Sequence, residues 1–339
     1  MEGKNEMKKP AMPKIMMMLF SSLIVIMIAI TTDMGSFIIE QKAHVMFAST
    51  DLSQTESKNE KLLARIQEEA KRQYIAPIDA EIDRVWKAVP GYNGLEVDIE
   101  ASHKKTQLRG GGEDTPLELV YREIPPKVTL NKLPAQPTYK GNANKPMAAI
   151  MINVAWGEEH LESILTTLRE EKVKATFFFD GSWVRKHPDL AKKIAGEGHE
   201  IGNHAYSHPN MSQLSEQMQR AEMVNTERYI KEATGMNSKW FAPPSGDFNS
   251  LTVRVAHEQG MRTVLWTVDT IDWQKPSPAT IIQRVQKKVG AGSLILMHPT
   301  APTSQALKGI IETARKRSLT LGTVTETLSE ARIEQVKVE

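Results

Sequence analysis

The chain has 339 residues, enough for one sizeable domain plus a smaller module. Lys and Arg total 43 against 41 Asp and Glu, a formal net charge of +2, so there is no electrostatic case for nucleic acid as a partner. Cysteine is absent, which excludes disulfides, thiol nucleophiles and thiolate metal sites and leaves only nitrogen and oxygen ligands for any metal.

Lys4, Lys8, Lys9 and Lys14 precede an uncharged run, IMMMLFSSLIVIMIAI, from Ile15 to Ile30. A basic flank before an apolar stretch stays in the cytoplasm while the chain beyond the stretch is exported, so the protein is expected to be extracytoplasmic, membrane-anchored or secreted. The run is 16 residues, longer than most signal-peptide cores and slightly short of the roughly 20 that span a bilayer. With no small-x-small cleavage site behind it, an uncleaved signal anchor is favoured over a cleaved signal. Residues 1–40 thus read as a basic stub and signal segment, and 41–76 as a polar stalk with a short helix over Glu60–Arg72 placing Leu62, Leu63 and Ile66 on one side.

Ile78, Ile82, Val85, Trp86 and Val89 follow helical spacing, Pro90-Gly91-Tyr92-Asn93-Gly94 punctuates them, and Leu95, Val97 and Ile99 alternate as in a strand. This predicts a small helix-turn-strand extension. Gly110 to Gly112 and the prolines at 125, 126, 134, 137 and 146 make the approach to the next segment flexible or extended, so residues 77–145 read as extension and linker with a boundary near Lys145.

From 146 to 330, before a tail at 331–339, short apolar runs alternate with helical segments. Met147–Val154, Val173–Phe179, His199–Asn203, Arg262–Val268 and Ser293–Met297 read as buried strands. Glu159–Glu170, Ser212–Ala233, Thr252–Gln259, Pro278–Val289 and Ser304–Lys316 read as helices. Such alternation implies an α/β fold with a parallel sheet covered on both faces. With no glycine-rich dinucleotide fingerprint after the first strand, a barrel carrying functional groups at the C-terminal strand ends is preferred to an open doubly wound sheet.

Polar residues do follow the strands. Asn203-His204-Ala205-Tyr206-Ser207-His208-Pro209 follows the third, Asp269-Thr270-Ile271-Asp272-Trp273 the next, and His298 the last. His204 and His208, four apart, can turn both imidazoles toward one divalent ion, although a histidine pair can equally cap and pack. His298 can be a satisfied core histidine, and Asp269 and Asp272 can cap the following helix.

Four blocks, GHEIGNHAYSHPNMS (198–212), FAPPSG (241–246), WTVDTIDW (266–273) and LILMHP (294–299), resemble in order and spacing the NodB-type polysaccharide deacetylases of carbohydrate esterase family 4, over Met147 to about Glu330. The segments VWKAVPGYNGLEVDIEAS and INVAWG are similar to a sporulation-associated YlxY-type subgroup of endospore-forming bacteria. The resemblance implies a distorted (β/α) barrel and a zinc-like divalent-metal hydrolase that removes N-acetyl groups from peptidoglycan-like or chitin-like cell-wall glycan. It implies His204 and His208 as metal ligands, His298 as general acid, and Asp269 or Asp272 as the carboxylate that tunes it. Such enzymes end the first strand in T-F-D-D-G-P, with one Asp as base and the next as metal ligand. Here Ala155 and Trp156 stand in their places, and Ala242 stands where an arginine orients the base.

Two functions compete on these residues. One is a metal-dependent N-deacetylase with a rewired base and third ligand, for which Glu158, Glu159 and Asp180 are the candidates. The other is a non-catalytic glycan-binding or assembly protein with Trp156, Tyr206 and Trp273 facing the sugar, although each aromatic can also be ordinary packing. A metal-free hydrolase using Ser207 or Ser245 ranks last, for want of a Ser-His-acid motif.

Overall fold

The computed structural model describes residues 14–31, 34–112 and 114–333. Lys4, Lys8, Lys9 and residues 334–339 of the expected tail lie outside the described residues. The chain divides into two compact units. One comprises Met1–Arg72 with Val97–Val120, the other Gln73–Glu96 with Tyr121–Glu339. The second differs from the expected boundary at Lys145. The segment before Lys145 is tied to the rest of the unit by Asn93 N donating to Glu330 O (2.8 Å), Leu130 N to Glu330 Oε1 (2.6 Å) and Gly141 N to Gly292 O (2.7 Å).

In the first unit the expected stalk is one helix, Met34–Arg72, far longer than the segment at Glu60–Arg72. Its apolar residues explain the packed end: Leu62 and Ile66 are buried against Val97, while Leu63 stays exposed. Ile99 does not continue a strand. It opens a helix, Ile99–Gln107, because Asp98 Oδ1 accepts a hydrogen bond from Ala101 N (2.9 Å) and caps it. The apolar run Ile15–Ile30 lies in the helix Lys14–Thr31, 18 residues long. Among the described residues no helix is long and apolar enough to cross a membrane. The expected membrane segment thus has no support among the described residues.

In the second unit the helix expected over Ile78–Val89 is instead an antiparallel hairpin, Glu81–Asp83 with Lys87–Val89. The reason is local: Asp83 Oδ1 accepts from both Val85 N and Trp86 N (2.7 Å each), a turn that removes those donors from any helix. The residues that suggested helical periodicity, Ile78, Ile82, Val85 and Trp86, are exposed rather than turned to a core.

The remainder is a parallel sheet wrapped by helices. Its strands are β1 (Met147–Val154), β2 (Thr176–Phe179), β3 (Glu200–Asn203), β4 (Trp240–Phe241), β5 (Arg262–Thr263), β6 (Val268–Asp269), β7 (Leu294–Met297) and β8 (Thr320–Gly322). They lie in the order β6-β7-β1-β2-β3-β4-β5, every pair parallel, with β8 also pairing with β1. The single strand expected over Arg262–Val268 is two. β5 ends at one edge of the sheet and residues 264–267 carry the chain to β6 at the other edge, which leaves a half-barrel. Thr138 covers the β5 edge, donating N–H to Thr263 O (3.0 Å) and accepting from Leu265 N (2.9 Å), so the edge groups are paired. The helices include α1 (Glu158–Glu170), α2 (Gly181–Lys186), α3 (Pro188–Gly196), α4 (Glu216–Thr234), α5 (Ser250–Glu258), α6 (Pro278–Lys288) and α7 (Ala301–Lys316).

Strand alternation decides which side chains reach the interior. In β1, Ala148, Ile150, Ile152 and Val154 join the outer core with Leu161, Ile164, Leu165 and Leu168 of α1. Ala149 and Met151 face the opposite way and join Phe178, Trp240, Val264 and Leu294 inside the half-barrel. The next positions on that inner face are Asn153 and Ala155, at the C-terminal end of the strand.

Candidate functional site

The C-terminal strand ends surround a cavity of about 380 Å³. Asn153, Ala155 and Trp156 enter it from the end of β1, and His204 and His208 from the loop after β3. Ser245 and Trp266 close one side, while Asp269, Trp273, Leu296 and His298 close the other. The turn after Trp156 requires glycine: Gly157 has φ +84°, and a Cβ there would lie 2.0 Å from Pro299 O.

His204 is wholly buried, and its Nδ1 donates to Ala242 O at 2.7 Å. A carbonyl only accepts, so the proton sits on Nδ1 and Nε2 is left with its lone pair. The His208 ring lies edge-on, centroids 5.2 Å apart. Glu222 holds the loop that carries both histidines, one oxygen accepting from Tyr206 N and Ser207 N (2.8 Å each) and the other from Ser207 Oγ (2.9 Å).

Of the two aspartates, Asp272 is the partner of His298. Its Oδ1 accepts from His298 Nδ1 (2.8 Å), and its Oδ2 accepts from His298 N (2.6 Å) and Thr303 Oγ1. Asp269 borders the cavity and spends Oδ1 on Ile271 N (2.8 Å). Trp156 lies flat against His298, the planes 6° apart and centroids 6.0 Å apart. Trp156 and Trp273 are 45 % and 55 % exposed, so both present open ring faces. Tyr206, expected to face a sugar, does not line the cavity. Its ring stacks on Tyr229 (5.8 Å) against α4 instead.

Burial pushes the His204 imidazole down to about 3, with the charge of His208 adding to the effect, and burial pushes His199 down to about 4. Both would protonate near 6.5 once exposed. Below that pH the unfolded chain binds more protons than the fold, so stability is lost as pH falls from about 6.5 toward 4, with a slope of up to about 1.4 kcal/mol per pH unit for each histidine. Thermal melts should show Tm falling between pH 7 and pH 5, less steeply in His199→Gln. A flat profile would show that these histidines carry protons in the fold.

A polysaccharide deacetylase family model matches residues 140–264. The chain is 49 % identical over 259 residues to an uncharacterized protein, YlxY, of Bacillus subtilis (strain 168), covering 76 % of this chain and 81 % of that one. The chain belongs to the polysaccharide deacetylase family. A peptidoglycan-N-acetylglucosamine deacetylase of Bacillus cereus is 38 % identical over 162 residues, 48 % of this chain and 59 % of its own length. The crystal structure of a carbohydrate esterase family 4 pseudoenzyme from Bacillus anthracis superposes with a TM-score of 0.74 at 43 % identity, covering 80 % of this chain and 96 % of that one. A mutant of that pseudoenzyme, described as having restored enzymatic activity, superposes with the same TM-score at 42 % identity over 80 % of this chain and 99 % of its own.

The metal that this family implies does not fit the residues present. Among the described residues no group of three or more His, Asp or Glu side chains could hold a metal ion. The cavity offers two imidazoles, with the methyl of Ala155 and the indole of Trp156 beside them. Two of the expected third ligands are engaged elsewhere: Glu158 faces His187 (3.9 Å), and Glu159 faces His160 (3.5 Å). Asp180 caps α2 through Oδ1, which accepts from Trp183 N (3.0 Å) and Ser182 Oγ (2.6 Å); its buried Oδ2 has no hydrogen-bond partner, but the residue does not line the cavity. Two neutral nitrogen donors fall short of the three protein ligands a catalytic zinc site takes.

Besides the apolar Leu296, sequence reasoning missed two cavity residues that can hydrogen-bond. Trp266 stands in the same block as Asp269 and Trp273. Asn153 is the one polar residue in the apolar run Met147–Val154, and its place in the strand alternation was the signal.

Proposed function

We propose that this protein binds N-acetylated cell-wall glycan in the cavity at the strand ends without hydrolysing it, as a non-catalytic member of its family. The observation that carries this reading is Trp156, which stands flat against His298 inside the cavity where a metal-binding carboxylate is expected. Indole faces bind the C–H faces of pyranose rings, and Trp156 and Trp273 supply two exposed ones. Backbone strain points the same way. Of eight non-glycine residues with positive φ among the described residues, Ala205, His208, Ser245, Ile271 and Lys275 lie in the loops bordering this cavity. Such conformations cost of order 1–3 kcal/mol each and gather where a site must keep its shape. The glycan class is supported by the name of the Bacillus cereus relative and by the block resemblance. A wall-glycan ligand, together with the basic flank before the apolar run, supports an extracytoplasmic location, which cell fractionation tests.

The intact His298–Asp272 pair favours a second reading, a slow N-deacetylase assisted by added divalent metal. One experiment separates the two. Titration of the full chain with N-acetylglucosamine oligomers should give saturable heat, and assay of the same mixtures should give no acetate with or without zinc. Trp156→Ala should weaken binding by about tenfold or more. Slow acetate release by the unmodified protein that depends on added metal would establish the second reading.

A further inference from the structure

Asn153 is 4 % exposed and lines the cavity on the inner face of β1, yet its Oδ1 has no hydrogen-bond partner. Its neighbours on that face are Met151 and Ala155, and its partner on β2 is Phe178; none has a side-chain donor to offer. Asn203, a buried carboxamide two strands away, makes the contrast: it donates to Met223 O (3.0 Å) and Glu227 Oε1 (2.8 Å) and accepts from Ala205 N (2.9 Å). A buried acceptor without a donor makes a fold less stable than an apolar residue of the same shape would. The cost at Asn153 falls at the wall of a cavity, where a ligand can remove it.

We propose that Asn153 is a specificity-determining contact: its carboxamide hydrogen-bonds a hydroxyl of the pyranose ring that lies against Trp156. The inference rests on the glycan-binding reading and names the group recognised within it. A hydroxyl both donates and accepts, so it satisfies the carboxamide whichever way the amide is turned. The position also suits a neutral ligand. Ala155 and Trp156 supply no carboxylate beside it, and the acid that lines the cavity, Asp269, already accepts from Ile271 N.

The test is Asn153→Leu in the full chain, which keeps the branched four-heavy-atom side chain and removes the polar group. Two quantities should move in opposite directions. Tm should rise by about 2–4 °C because the unpaired acceptor is gone, while affinity for an N-acetylglucosamine tetramer should fall by about tenfold or more. The contribution of the sugar hydroxyl is read from deoxy analogues. The analogue lacking the recognised hydroxyl should bind the unmodified protein as weakly as the tetramer binds Asn153→Leu. If the unmodified protein binds no glycan, the underlying reading fails and this inference with it. If it binds and Asn153→Leu binds equally well, the glycan reading stands and the role of Asn153 is overturned. A fall in Tm would likewise overturn it, by showing that the carboxamide is satisfied within the fold.

Discussion

The triple variant Ala155→Asp, Trp156→Asp, Ala242→Arg should release acetate from N-acetylated glycan oligomers with added divalent metal, where the unmodified protein releases none. A positioned general base contributes about 10²–10⁴-fold, so the gain should be at least a hundredfold over the background of the assay. The geometry places the first two replacements in the cavity and the third in the packed interior beside His204. Position 155 is on the inner face of β1 within the cavity that holds His204 and His208, so a carboxylate at 155 or 156 joins two imidazoles already present. The main chain at 242 accepts from His204 Nδ1 and donates to Asn203 O (3.0 Å), and neither bond depends on the side chain. An arginine there also meets an electrostatic need. Position 155 adjoins Asp180 across the β1–β2 ladder, where burial already pushes that carboxyl up, and a second acid beside it ionises more readily with a guanidinium at hand. The double aspartate variant without Ala242→Arg should therefore gain less. Isothermal titration with zinc gives an independent readout, with one tightly held ion expected in the triple variant and none in the parent. A triple variant that binds zinc and releases no acetate would show that the remaining groups are no longer aligned for hydrolysis.

The parts of this fold that the sequence made legible are those fixed by local pattern. β1 is an unbroken apolar run with one polar exception, and α1 carries apolar residues at 161, 164, 165 and 168, so period and burial agree. The gathering of His204, His208 and His298 followed from strand ends alone, because all parallel strands of one sheet present their C-terminal ends to the same side. What the sequence concealed was set by hydrogen bonds between distant residues. Nothing local distinguishes Asp269 from Asp272; the choice depends on Thr303 and His298, each more than twenty positions away. The hairpin at 81–89 was hidden because a single aspartate oxygen overrides a helical period whose apolar residues stay exposed. Tyr206 was misplaced for a related reason: it sits in the right loop, but Tyr229 on α4 offers its ring a better surface than the cavity does.

Asp272→Ala should cost about 3–5 kcal/mol of stability, read as a fall in the denaturation midpoint, because the carboxylate is wholly buried and accepts three hydrogen bonds. Its loss leaves His298 N, His298 Nδ1 and Thr303 Oγ1 without their acceptor. Asp272→Asn is the more informative change, since it keeps the shape and alters one property. A carboxylate only accepts, which obliges His298 to carry its proton on Nδ1 and leaves Nε2 facing the cavity as an acceptor. An asparagine can turn its amide toward His298, and the imidazole then moves its proton to Nε2. Nitrogen chemical shifts of His298 should therefore report the Nδ1-protonated form in the unmodified protein and the Nε2-protonated form in Asp272→Asn. Asp269→Asn, whose side chain caps Ile271 instead, should leave the His298 shifts where they were. Placed in the triple variant, Asp272→Asn should abolish most of the acquired acetate release while its zinc binding survives, and Asp269→Asn should leave the His298 tautomer unchanged there too. Equal effects of the two substitutions on His298 would mean that the buried pair does not set the proton on that ring.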